Sequence, residues 1–128
     1  LTAAHAVVAS VRAELDRQRF DRAIEAIFSV VNAANTYIDA QAPWGLKKTD
    51  PTRMNTVLYV LAEVIRCLGL IMQPFTPELA GKILDQLAVP ADQRTLTFLD
   101  EAFDLKPGTP LPEPKGVFPR LETPEAAA

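Results

Sequence analysis

The stretch Ala42-Pro43-Trp44-Gly45-Leu46-Lys47-Lys48 concentrates residue types suited to holding a planar, negatively charged ligand. It carries the only tryptophan of a 128-residue chain, beside a proline that stiffens the backbone. Two lysines follow at once, and Arg53 lies shortly beyond. Stacking an unpaired base on an aromatic ring is worth about 1–3 kcal/mol, and each cation near phosphate adds a salt-sensitive attraction. Trp44, Lys47, Lys48 and Arg53 are therefore candidate contacts for an RNA loop, with Pro43 fixing the turn. The competing reading of Trp44 is a core residue plugging the end of a helical bundle, the commoner fate of a Trp at a helix boundary. Its place beyond the end of an apolar helix pattern, among cations and with Leu46 free to act as the plug, favours the platform.

Other chemistry finds little support. His5 is the only histidine and falls off the apolar stripe of its helix pattern, on a face expected to be exposed. Cys67 reads as a small buried hydrophobe, so no Cys–His pair is expected. A metal needs three or four clustered ligands; none are expected to cluster, and no metal site is assigned. The five glycines are scattered, so no phosphate-cradling loop exists. Glu14, Asp16, Asp21 and Glu25, interleaved with Arg17, Arg19 and Arg22, read as a solvated, salt-bridged face. The chain by itself carries no catalytic residue. Asn35 reads first as a buried amide satisfied by backbone and second as an RNA contact. A net charge of −3 gives no general affinity for polyanions, so DNA is not an expected partner and any RNA contact must be a local patch. The lone cysteine cannot form an internal disulfide and suits a reducing cytoplasm. Glu63 and Arg66 interrupt the most apolar helix pattern, so no membrane span is expected.

The positioning elements follow from hydrophobic spacing. Ala4, Val8, Val11 and Leu15 recur at steps of three and four over residues 2–17, with Thr2 a possible N-cap. Phe20, Ala23, Ile24, Ile27, Phe28, Val31, Ala34 and Ile38 give a second helix over 20–42. Its apolar face is broad enough to predict a central position, and Pro43 ends it. Asp50 as N-cap and Pro51 at the first helical position open a third helix, whose spacing runs from Val57 to Met72 and stops at Pro74. Thr76-Pro77-Glu78 repeats that signal for a fourth, ending near residue 88. Leu96, Phe98, Leu99 and Phe103 are apolar anchors of short helical turns. The expectation is an all-α, antiparallel bundle of about four helices over 1–105, followed by a Pro-rich tail over 106–128. Within that tail Val117-Phe118-Pro119-Arg120-Leu121 is an apolar plug expected to dock, and the last residues, 125–128, are expected to be disordered. The chain begins at Leu1 without Met and already in helix pattern, as expected of a piece of a longer protein.

The run Asn35-Thr36-Tyr37-Ile38-Asp39-Ala40-Gln41-Ala42-Pro43-Trp44-Gly45-Leu46-Lys47-Lys48 resembles the helix-end motif of the anticodon-binding domain of methionyl-tRNA synthetases: Asn, Tyr, Ala-Pro-Trp, then Lys. Pro74-Phe75-Thr76-Pro77 resembles the Pro-Phe-x-Pro turn of the same synthetase class. Gly116-Val117-Phe118-Pro119-Arg120-Leu121-Glu122 resembles their Leu-Phe-Pro-Arg-Ile-Glu tail. The resemblance implies a bundle that binds the anticodon loop of methionine tRNA, with Trp44 stacking on an extruded base. It implies the C-terminal part of an enzyme that attaches methionine to tRNA using ATP. It also implies one earlier helix, bearing an Asn and an Arg that read anticodon bases, before Leu1. The catalytic signatures His-x-Gly-His and Lys-Met-Ser-Lys-Ser are not in this sequence. No cofactor is therefore expected in this part, ATP and methionine being used by the catalytic domain of the same chain, on which the tail would pack. A reading of a different class is a helical protein-interaction module that docks a partner through Trp44. A nearer variant is the anticodon domain of a related synthetase.

Overall fold

The computed structural model describes residues 1–118. Five α-helices follow in order: α1 (Thr2–Asp16), α2 (Phe20–Gln41), α3 (Pro43–Thr49), α4 (Pro51–Met72) and α5 (Pro77–Gln86). Three short 3-10 turns follow at Ala91–Gln93, Leu96–Leu99 and Glu101–Phe103. There is no strand among the described residues, so the fold is all-α, as periodicity predicts. Residues 119–128, which include the Pro119-Arg120-Leu121 part of the tail motif and the expected disordered end, lie outside the described residues.

Local chemistry explains most boundaries. Asp50 caps α4, its Oδ1 accepting the Arg53 backbone N–H at 2.9 Å, and Pro51 takes the first turn. The other two predicted caps differ. Thr2 lies inside α1, whose N-cap is Leu1, and the Thr76 hydroxyl is buried without a partner instead of capping α5. Two helix ends close with paired backbone bonds around a left-handed residue that is not glycine. After α1, Gln18 (φ 57°) lets Arg19 N–H reach Glu14 O at 2.9 Å; after α5, Ala88 (φ 54°) lets Val89 N–H reach Leu84 O at 3.0 Å. Sequence reading for glycine at helix ends passes over both.

The core sits around α4, not α2. Helix α4 packs against α1, α2, α3, α5 and the second 3-10 turn, and Val57, Leu61, Val64, Cys67, Leu68, Leu70 and Ile71 are buried on it. Only Ala23, Ile27 and Val30 are buried on α2, while Phe20, Ile24 and Phe28 remain exposed. The expected central role of α2 is therefore corrected: its apolar face is wider than the surface its neighbours cover. Length and hydropathy would let α4 cross a membrane, contrary to expectation, yet its C-terminal half is enclosed as a core helix. Gly69 marks the closest approach to α5; a Cβ there would meet Leu84 Cδ2 at 2.9 Å.

Candidate nucleic-acid interface

The residues from Ala42 to Arg53 form a compact corner between the end of α2 and the start of α4. Between the two expected helices Pro43–Thr49 forms a short helix of its own, which the spacing did not predict. Pro43 supplies its first residue, where a missing N–H costs nothing. Ala42 is the joint, in left-handed conformation at φ 42°, ψ 61°. That geometry costs a non-glycine residue about 1 kcal/mol or more, and the following proline restricts the residue before it further. Ala42 nevertheless bonds on both sides: its N–H donates to Ile38 O at 2.9 Å, and its carbonyl accepts Gly45 N–H at 2.9 Å. At the far end Asp50 N–H donates to Leu46 O at 2.8 Å, joining α3 to the cap of α4.

This arrangement lifts Trp44 off the core. Pro43 is buried and Leu46 half-buried, whereas Trp44 is 65% exposed. Leu46 and Pro43 anchor α3, and the ring faces outward, so the core-plug reading of Trp44 is set aside. Pro43, named with the contact residues, acts from beneath. Lys47 and Lys48 are exposed in the last turn of α3, where cations are favoured by the helix carbonyls. Neither forms an ion pair among the described residues. Arg53 is also exposed, and its guanidinium donates to Gln41 Oε1 at 2.6 Å across the corner. Asn35 is exposed on α2, so the buried-amide reading fails: the helix face flanking the packed one carries it to solvent. The net result is one exposed aromatic and three exposed cations on a braced corner, in a chain of net charge −3.

The structure also builds a site that sequence reasoning missed. Glu63 and Arg66, taken as interruptions of an apolar pattern, are 0% and 2% exposed. Arg66 donates to Glu63 Oε1 (Nε at 2.7 Å), to Phe98 O at 2.5 Å and to Asp104 Oδ1 at 3.4 Å. Glu63 Oε2 accepts the Leu105 N–H at 3.0 Å, and Tyr59 donates to Leu105 O at 2.8 Å. Burial alone would raise the Glu63 pKa; the bonds from Arg66 and Leu105 outweigh it and hold the carboxyl below its ordinary value. Burial and the neighbouring Glu63 push Asp104 up. This knot ties the 3-10 segment to α4. The i, i+3 spacing of Glu63 and Arg66 on one helix was the available signal, since a buried charge is tolerated only when paired.

Beside the knot, His5, Glu63 and Cys67 bring ligand atoms within 4.8 Å of one another, contrary to the expectation that no such residues cluster and that His5 is exposed. Their chemistry does not suit a metal. Both Glu63 oxygens are already engaged, and Arg66 holds a positive charge against them. Burial and Glu63 push the Cys67 thiol up to about 12. The group serves instead to pack α1 on α4. The predicted acidic and basic face is as expected, with Arg19 on Glu14 at 2.6 Å and Arg22 on Glu25 at 2.8 Å.

The described residues thus form an all-α bundle that presents an exposed indole beside three exposed cations, the residue types that stack on bases and meet phosphate in single-strand binders. Comparison with known proteins narrows the reading. The family model described as the anticodon binding domain of methionyl tRNA ligase matches residues 2–128, and the chain belongs to that family. It is 52% identical to the methionine–tRNA ligase of Rhizobium meliloti over 98% of this chain, and 43% identical to that of Mycobacterium leprae, also over 98%. It superposes on the crystal structure of the free-state Mycobacterium tuberculosis methionyl-tRNA synthetase with a TM-score of 0.89 at 41% identity, covering 96% of this chain. In each case the chain spans about a quarter of the relative's length, 24% for both ligases and 25% for the solved structure.

Proposed function

We propose that this domain recognises the anticodon loop of methionine tRNA as the C-terminal part of a cytoplasmic methionine–tRNA ligase. The observation that carries the reading is Trp44, held 65% exposed on α3 in a chain of this family. Its ring is the stacking surface for an extruded anticodon base. Lys47 and Lys48 meet the neighbouring phosphates, and Asn35, exposed on α2, is available to a base edge. Pro43 and Ala42 set the angle of the platform. The chemistry with ATP and methionine is the work of the catalytic body of the longer protein; a related structure from M. tuberculosis is described as bound by methionyl-adenylate. The described part of the tail lies along α5, where the Gln86 side chain pairs with both backbone groups of Lys115.

The test is Trp44→Ala in the full-length ligase. Charging of tRNA should fall by about ten- to a hundredfold, the loss of one base stack, while methionine activation measured by pyrophosphate exchange persists. Equal loss of both activities, or of neither, removes Trp44 from recognition.

A further inference from the structure

We infer that Gln41 and Arg53 form a brace that sets the position of Trp44, making both positioning residues for base stacking. The inference rests on the proposed anticodon reading and assigns Arg53 a role other than phosphate contact.

Four observations support it. First, the platform hangs on an unfavourable joint. Ala42 is left-handed without being glycine, and it precedes proline. A residue in such a conformation persists only where its surroundings over-determine it. Second, α3 has seven residues, too few to be stable without external support. Third, α3 packs on α4, and one side-chain bond spans the joint in addition. Ala42 bonds backbone groups on either side, and Pro43 is buried, but these groups belong to the joint itself. The bond from Arg53 to Gln41 Oε1, at 2.6 Å, is a side-chain link that closes the corner from outside. Its partners lie twelve positions apart, at the last residue of α2 and in the first turn of α4. Fourth, Arg53 is itself fixed at its base, since its own N–H is the one the Asp50 carboxylate accepts. A guanidinium so rooted, with an amide oxygen in front of it, is preorganised to hold the ends of α2 and α4 at one separation. That separation dictates where the short helix between them, and hence the Trp44 ring, can stand.

The brace differs from a phosphate contact in one measurable respect. Gln41 carries no charge. Removing it leaves the cation count, and so the salt dependence of RNA binding, unchanged.

The experiment uses the full-length ligase and an anticodon stem-loop RNA carrying 2-aminopurine at each anticodon position in turn, because that base is quenched when it stacks on an indole. Gln41→Ala should raise the Kd by about three- to tenfold, the cost of one lost charge-assisted hydrogen bond. It should also reduce the quench at saturation, with no change in salt slope. Arg53→Ala should lose a similar amount, and the double variant little more than either. In the absence of RNA, hydrogen exchange at the Gly45 and Leu46 amides, whose acceptor is Ala42 O, should quicken about fivefold in Gln41→Ala. It should return to the parent rate in Gln41→Glu, which keeps an acceptor for Arg53. Two results overturn the brace: unchanged exchange in Gln41→Ala, or a Gln41→Ala protein that binds as the parent does while Arg53→Ala alone binds more weakly with a shallower slope. Failure of the anticodon reading shows separately, as a Trp44→Ala protein with unaltered quench and affinity. The exchange measurement on the free protein decides the brace in either case.

Discussion

Replacing Arg66 with methionine should cost this domain about 3–5 kcal/mol, the penalty of leaving a buried carboxylate without its counter-charge. The structure sets the size. Arg66 is 2% exposed and Glu63 0%, so solvent cannot take over the lost partner. Three acceptors lose their donor together: the Glu63 carboxylate, the Phe98 carbonyl and the Asp104 carboxylate. Against a usual total of 5–15 kcal/mol for a domain, the substitution should bring the bundle close to unfolding. Urea denaturation followed by circular dichroism measures it. The double variant Glu63→Leu, Arg66→Met should recover at least half of the loss, because it removes the orphaned charge. Full recovery is not expected, since Leu105 N–H would then lack its acceptor. The pH dependence adds a check of sign. In the native protein the Glu63 pKa is held down, so its contribution is present above the ordinary carboxylate value of about 4.3 and is lost as pH falls through the lower folded value. Without Arg66, burial acts on Glu63 with its main opposing charge gone and the Leu105 N–H still in place, and Asp104, already pushed up by burial, loses the lowering effect of Arg66. Stability is then greatest below the ordinary value and falls as pH rises through the raised one. The gap between native and variant should therefore narrow on going from neutral to acid. A loss under about 1 kcal/mol, typical of an exposed pair, or a gap that widens in acid, would refute the reasoning.

The double substitution Lys47→Ala, Lys48→Ala should weaken stem-loop binding and flatten its salt dependence, with log K plotted against log salt losing up to about 1.4 in slope; an unchanged slope would mean that these lysines do not meet phosphate. Gly69→Val should destabilise by about 1–3 kcal/mol in the same urea assay, because even its Cβ would stand 2.9 Å from a fully buried Leu84; a neutral result would show that α4 and α5 can separate freely. Cys67, buried with its thiol pushed up to about 12, should resist iodoacetamide at mildly alkaline pH and react once the chain is unfolded in urea. Rapid labelling of the native protein would contradict its place in the core.

The sequence by itself determined the number of long helices, their approximate limits and the position of the exposed corner. These are local matters: apolar spacing sets a helix period, Asp50-Pro51 opens a helix whatever surrounds it, and Pro43 must end one. The run from Asn35 to Lys48 was also enough to suggest the family. Only the tertiary structure decided which faces were covered. Phe20, Ile24 and Phe28 keep helix period as faithfully as Ile27, yet nothing among the described residues buries them, and so α4, not α2, became the core. Charge at Glu63 and Arg66 looked like a break in an apolar pattern because a pattern cannot show that two opposite charges neutralise each other inside it. Ala42 offered no sign of its left-handed turn, since no glycine marks it. The same corner that spacing placed outside the helices thus became a seven-residue helix of its own. Whether Trp44 plugged the core or stood clear of it turned on that helix, because burying Pro43 and Leu46 on one side leaves the indole on the other.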